Sequence, residues 1–377
     1  MTGDLPNPPC VVFDSSVVER QCHALRSYLD RVYPRSRLFY ALKACYLPPV
    51  VERILASGCG LEVSTPSEQS IARHFGLAGS RIVWNSPCLD EMALQGIVER
   101  GELLNVDSPC LFSIVDRVAS SLGKRVQVGL RLNPFGQGRL GMTPDQAEAL
   151  LRRSPRVEVV GLHIHIGQGD RMAGAGLAEK QWFLEMIGRW ESAFDLRLEF
   201  VNLGGGLLVG EPPEVSLAPL LTNLEKLKSS PELHLEPGAY LVEEAGTAYS
   251  RVVATKTVGS AHWALLDVGA NFLVPLERAH FSVTKDDDVR QDLAVHFGGP
   301  FCFEADVIAK DQLVAVAPGN IVKISRCGAY TASMSSCFFS APPPVFWLEH
   351  GHYVALRRQP STQASFLLYH GYPAPTA

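Results

Sequence analysis

The 377-residue sequence has no Cys-x-x-Cys pair, no run of like charges longer than Asp286-Asp287-Asp288 and no stretch of 18 uninterrupted apolar residues. Nine cysteines, an odd number without metal-ligand spacing, set aside a disulfide framework and point to reduced thiols. Basic residues are not in excess: 34 stand against 39 acidic ones, for a net charge of −5. That balance argues against a nucleic acid or a membrane surface as partner. The first ten residues hold no apolar core of a signal peptide, so the sequence leads us to expect a soluble, cytoplasmic protein. Internal repeats and low-complexity segments are also missing, Pro342-Pro343-Pro344 being too short to count. What remains is an ordinary globular composition, 46% apolar and 19% charged, long enough for about two domains.

Eight short β-type runs alternate with helix-type segments: 37–44, 60–64, 81–85, 103–107, 126–133, 159–167, 198–204 and 232–236. Helix candidates between them include 49–57, 67–75, 89–100, 143–153 and 178–193. Eight βα units over about 200 residues predict a (β/α)8 barrel. After Gly246 the runs 251–258, 262–268, 293–297, 312–317, 345–348 and 366–369 are separated by Gly, Pro and Asp without a convincing long helix. They predict a β-sandwich or β-barrel domain. The expected division is a barrel over 26–245 and a β domain from 1–25 and 246–377, with Cys10 to Phe13 able to close either.

Barrel chemistry sits at the C-terminal ends of the strands, which here carry Lys43, Glu62, Asn85, Asp107, Arg131, His165, Gly204-Gly205-Gly206 and Glu236-Pro-Gly238. Lys43 shares a strand face with Phe39 and Ala41. Desolvation there would lower its pKa and suit it to a Schiff base, whereas a salt-bridged lysine at a strand end is the plainer reading. The glycine triplet leaves backbone N–H groups able to face a phosphate, or simply makes a tight turn, with Gly238 as a second arm of the same cradle. His163 and His165 share a face; a metal pair would need further ligands at later strand ends, and His163 also suits a core position. Glu236 is either a partner of Arg131 or the group that holds a protonated pyridine nitrogen.

The motifs Tyr40-Ala-Leu-Lys43-Ala, Glu62-Val-Ser-Thr-Pro-Ser-Glu68, Asn105-Val-Asp107-Ser, His163-Ile-His165-Ile-Gly167, Gly204-Gly-Gly206, Glu236-Pro-Gly238, Gly299-Pro-Phe-Cys302 with Asp306, and Gly328-Ala-Tyr330 stand in order along nearly the whole chain. Together they resemble the pyridoxal-phosphate-dependent decarboxylases of the alanine-racemase-like fold, which include diaminopimelate, ornithine and arginine decarboxylases. The resemblance implies pyridoxal 5'-phosphate as cofactor, with Lys43 as its Schiff-base lysine, His165 stacked on the ring and Glu236 at the pyridine nitrogen. Arg131 joins this cofactor-binding set, and Gly204, Gly205, Gly206, Gly238 and Tyr330 would hold the phosphate. It further implies a head-to-tail homodimer in which Cys302 and Asp306 reach the partner's active site, Cys302 assisting reprotonation.

The departures from that pattern bear on the substrate. Ala239 stands where the family has the arginine of Glu-Pro-Gly-Arg, Gln168 where it often has serine, and Phe339-Ser340 where Asn-Gly is usual. Phe303 replaces the carboxylate that would meet a distal ammonium, so diaminopimelate and ornithine are disfavoured. Arg278 would suit an anionic group, as in the citryl-diaminopropionate conjugates of siderophore biosynthesis. The expected substrate residues are thus Phe303, Arg278 and Asp306. A racemase on the same fold and a degenerate regulatory homologue are the competing readings.

Overall fold

A computed structural model of the chain describes residues 5–136, 138–151, 156–166, 175–273, 280–283, 294–356 and 362–373. Within them the chain divides into two compact units. One comprises 22–43 and 54–240, the other 1–21, 44–53 and 241–377.

The first unit holds eight parallel strands closed into a barrel: β2 (Ser36–Ala41), β3 (Gly60–Val63), β4 (Ile82–Ser86), β5 (Leu103–Val106), β6 (Val126–Leu132), β7 (Val157–Ile164), β8 (Phe200–Asn202) and β9 (Glu232–Leu235). Strand β1 (Cys10–Asp14) and helix α1 (Ser15–Val32) precede them. The barrel closes where Ser36, Arg37 and Leu38 pair with Leu233, His234 and Leu235. The intervening helices are α2 (Pro48–Ala56), α3 (Pro66–His74), α4 (Glu91–Arg100), α5 (Pro109–Ser121), α6 (Pro144–Leu150), α7 (Ala175–Phe194) and α8 (Pro213–Glu225).

Local chemistry explains the helix starts. Thr65, Asp90, Ser108 and Thr143 each accept a backbone N–H three residues on, and proline follows three of them at the first helical position. Beneath the mouth the barrel is filled by apolar and aromatic side chains, including buried Phe39 and Phe200, with the Phe200 ring stacked on His234 at 4.5 Å. Each such fully buried side chain contributes roughly 1.5–3 kcal/mol.

In the second unit a short helix α9 (Ala239–Val242) leads into β10 (Gly246–Val258), followed by β11 (Ala261–Leu266), β12 (His280–Val283), β13 (Val295–Gly298), β14 (Val307–Gln312), β15 (Ile321–Ser325), α10 (Thr331–Met334), β16 (Val345–Glu349), β17 (His352–Ala355) and α11 (Thr362–Tyr369). Its nine-stranded sheet runs β14-β13-β11-β10-β1-β16-β17 and branches at β10 through β15 to β12. The first strand-like run, open to either domain on sequence, belongs here: β1 pairs antiparallel with β10 and parallel with β16.

Two of the expected strands differ. Residues 366–369, read as a β run, lie in helix α11, because Thr362 to Tyr369 leaves four consecutive apolar residues that fit a helix as well as a strand. Of the run 312–317 only Gln312, the last residue of β14, is in a strand; residues 313–317 lie beyond it, before Pro318-Gly319 turns the chain toward β15. No helix among the described residues is long and apolar enough to cross a membrane.

Candidate active site

The strand ends of the barrel unit converge on a polar cluster. Lys43 is in the single turn Leu42–Ala44 that ends β2, half-buried, with Nζ 2.5 Å from Oε2 of fully buried Glu62. The apolar surroundings expected from Phe39 and Ala41 are therefore replaced by a carboxylate partner. Burial raises the Glu62 carboxyl above its ordinary range and Glu236 adds to this, while Lys43 opposes it.

Glu236, just past β9, is buried, and its Oε1 accepts from Asn85 Nδ2 at 2.8 Å and Asn202 Nδ2 at 2.7 Å. His163 Nε2 stands 3.5 Å from its Oε2. Burial alone would raise this carboxyl, but the neighbouring His163 and Asn85 outweigh it and hold Glu236 well below the carboxylate range. The ladder extends further, since Asn105 Nδ2 donates to Asn85 Oδ1 at 2.8 Å and Gly204 N–H donates to Asn202 Oδ1 at 2.8 Å. Arg131 pairs with Asp107 at 3.5 Å, so it is not the structural partner of Glu236.

His165, one residue past the end of β7, is exposed at its own surface, while the surrounding protein still desolvates its ring. This desolvation, with the Lys43 and Arg131 charges, pushes its pKa down to about 3 and keeps the ring neutral near pH 7. Gly205 N–H donates to its Nδ1 at 3.3 Å. A metal is the competing occupant: donor atoms of His163, His165 and Glu236 lie within 4.8 Å of one another. Glu236 Oε1 already accepts from two amide donors, so the carboxylate is fixed in place with only Oε2 turned to His163.

Gly204 and Gly206 have φ of 62° and 78°, in the left-handed region that only glycine adopts without strain. A Cβ on Gly204, Gly205 or Gly206 would come within 2.7, 2.8 and 2.4 Å of the carbonyl oxygens of Ile164, Glu236 and Ile166. The triplet is thus a cradle no side chain can enter. Its N–H groups are less open than the sequence suggests, because those of Gly204 and Gly205 are engaged by Asn202 and His165. Gly238 follows Glu236 in the same buried segment. Among the described residues, buried Asn105 Oδ1 and His163 Nδ1 have no hydrogen-bond partner. An amine, an anchored anion, a glycine cradle and orphaned polar atoms form a donor set that fits pyridoxal phosphate.

The sheet unit presents a second group. Asp306 is buried and its carboxylate accepts from Ala270 N at 2.7 Å and Phe301 N at 2.8 Å, which shapes the turn carrying exposed Cys302 and Phe303. Phe301 stacks on Phe339 at 5.0 Å, and Phe303 and Phe338 meet edge to face. Asn271 Nδ2 donates to the Ser340 carbonyl at 2.9 Å, tying this wall together. Tyr330, half-buried, has φ of 65° and donates its N–H to the Ala44 carbonyl at 2.7 Å. Arg278 and Gln168 lie outside the described residues.

Asn202 and Lys180 were not singled out by sequence. Asn202 sits in an apolar strand end next to the glycines, a position whose polarity was the available signal; Lys180 is one of many helix cations and had none.

Comparison with known proteins shows the family and the fold. Residues 15–243 match the family model "Pyridoxal-dependent decarboxylase, pyridoxal binding domain". The chain is 30% identical to the diaminopimelate decarboxylase of Deinococcus radiodurans, covering 88% of this chain and 89% of the relative. It is 26% identical to that of Aquifex aeolicus over 89% and 84% of the two chains. The fold is shared with the Helicobacter pylori diaminopimelate decarboxylase complexed with L-lysine (TM-score 0.83, 20% identity, 97% of each chain). It is also shared with a Vibrio vulnificus lysine/ornithine decarboxylase complexed with putrescine (TM-score 0.77, 20% identity, 91% and 95%).

Proposed function

Because the chain belongs to the pyridoxal-dependent decarboxylases, carboxy-lyases that work with pyridoxal phosphate, we propose that it releases carbon dioxide from an amino acid or amino-acid conjugate whose distal end carries no ammonium group. The cofactor supplies the electron sink for the bond that breaks at the carboxylate. Lys43 Nζ would hold its aldehyde end, Glu236 its ring nitrogen, His165 its ring face and the Gly204–Gly206 cradle its phosphate, with Arg131, Gly238 and Tyr330 as further contacts.

The chain's own residues divide the work. Glu62 stands against Lys43 Nζ and accepts its proton at Oε2, since burial has made that carboxyl more basic. Glu236 is kept anionic by Asn85, Asn202 and His163 and so favours a proton on the atom it faces, stabilising charge that develops during reaction more than the ground state. Neutral His165 packs without adding a positive charge to the mouth. Cys302, exposed on its turn, would return a proton to the product carbon, and Asp306 holds that turn. A homodimer with shared active sites is part of this reading, supported by the exposure of Cys302 and Phe303.

The observation that carries the substrate proposal is Phe303. It is 49% exposed beside Cys302 and is joined to Phe338 and Phe339, both about half exposed, in one aromatic surface. A distal ammonium placed against it would lose its water without gaining a partner. An anionic conjugate of the kind Arg278 would accept belongs to this class. The test is carbon dioxide release from a panel of meso-diaminopimelate, ornithine, lysine and amino-acid conjugates lacking a distal amine. Faster turnover of the last group supports the reading; preferential turnover of diaminopimelate refutes it. Product stereochemistry in the same assay separates decarboxylation from racemisation, which releases no carbon dioxide.

A further inference from the structure

Lys180 lies on α7 and is only 5% exposed, although lysine is almost never buried without a partner. Its Nζ donates to the Gly205 carbonyl at 2.6 Å. Among the described residues no carboxylate forms an ion pair with it. Burial pushes its pKa down to about 8, and the more distant Glu236 charge opposes this. The ammonium is therefore a buried positive charge with donor capacity left over, on the glycine triplet itself. The position a Gly206 Cβ would occupy is 3.7 Å from Nζ.

The triplet needs such a charge. The N–H groups of Gly204 and Gly205 are already directed at Asn202 and His165. Carbonyl oxygens of Ile164, Glu236 and Ile166 fill the Cβ side of the three glycines, which therefore carry no positive group of their own. Position 239, directly after Glu236-Pro-Gly238, holds alanine and supplies no cation. A dianionic phosphate seated here requires a compensating positive group, and charge-assisted donors are the strongest available.

We infer that Lys180 is the cation of the phosphate site, reaching the cofactor's phosphate from behind the Gly204–Gly206 turn. The inference rests on the pyridoxal phosphate reading above. The competing role is structural, a lysine that merely pins the turn through the Gly205 carbonyl.

Two aldehydes that differ only in the phosphate separate the roles. Dissociation constants of pyridoxal phosphate and of pyridoxal are measured by absorbance titration for the wild type, Lys180→Gln and Lys180→Arg. Lys180→Gln retains a neutral donor toward Gly205 and removes the charge. The expected result is a 10- to 100-fold loss of pyridoxal phosphate affinity, about what one hydrogen bond to a charged group supplies, with pyridoxal affinity changed less than about twofold. Lys180→Arg restores most of the loss. Inorganic phosphate competes with pyridoxal phosphate in the wild type and much less in Lys180→Gln. Parallel losses for both aldehydes, or no loss for either, overturn the inference. Should Lys180→Gln not fold, Lys180→Met against Lys180→Arg gives the same comparison, with charge present only in the second. A wild type that forms no borohydride-stable pyridoxyl adduct on Lys43 overturns the functional reading and this inference with it. An adduct in the wild type with parallel losses in the variants overturns the inference alone.

Discussion

Lys43 Nζ and Glu62 Oε2 are 2.5 Å apart, one half exposed and the other fully buried. Such a pair gives the amine a fixed proton acceptor whose basicity is set by burial. Glu62→Gln preserves the shape and a hydrogen-bond acceptor but cannot take up a proton. Stopped-flow absorbance after mixing cofactor-free protein with pyridoxal phosphate should show adduct formation slowed by about 100-fold, typical of a lost general base. Lys43→Ala should show no borohydride-stable adduct at this position.

Asn202 joins two halves of the proposed cofactor site, donating to Glu236 Oε1 and accepting from Gly204 N–H. Asn202→Leu takes one of two amide donors from Glu236 Oε1, which keeps Asn85, and leaves the buried Gly204 N–H without its acceptor, at about 1–3 kcal/mol for the group orphaned. Urea unfolding should report a stability loss of that order. Affinities for pyridoxal and pyridoxal phosphate should both fall, because ring and cradle anchors are disturbed together. Retention of either affinity would show that the two anchors are independent.

The barrel was legible in the sequence because its strands and caps obey local rules. Runs such as Arg81 to Asn85 alternate with helices opened by Thr65-Pro66, Ser108-Pro109 and Thr143-Pro144, and no tertiary contact had to override them. The sheet unit was harder. Phe366 to Tyr369 is apolar in either period, β15 is a short strand whose pairing is set by the sequence-distant β10, and β17 is the short second arm of a hairpin with β16. Within the site, residues with a motif were found and residues acting through geometry were not. Asn202 and Lys180 gain their importance only when the fold brings them to Glu236 and the glycine turn. Lys43 shows the converse, a residue singled out by its motif whose surroundings the strand pattern misjudged, since a carboxylate stands against it.

His165 provides a pH test in the cofactor-free protein. Its pKa is about 3 in the folded chain against about 6.5 when unfolded, so the unfolded state binds the extra proton between those values. Stability from this group is fully present above about pH 6.5 and is lost as pH falls toward 3. His165→Asn removes the group in both states. Its melting temperature should therefore fall less steeply than that of the wild type between pH 6.5 and 3, measured by thermal denaturation at fixed ionic strength. Equal slopes would mean that the ring titrates normally.

Phe339 tests the aromatic surface. With φ of 61° it occupies a left-handed conformation costly for a bulky residue, roughly 1–2 kcal/mol, while its ring lies flat on Phe301, 5.0 Å away with 10° between the planes. Strain of this kind persists where the surrounding structure over-determines it. Phe339→Gly relieves the backbone and deletes the stack, so the two effects oppose and stability should change by less than about 1.5 kcal/mol. Substrate discrimination should change far more, because the surface that disfavours a distal ammonium has been opened. Combining it with Phe303→Glu supplies the missing counter-charge, and kcat/KM for a substrate with a distal ammonium should then rise by about tenfold or more over the wild type, the equivalent of one charged hydrogen bond. A double variant that discriminates as the wild type does would show that these aromatic residues do not meet the substrate.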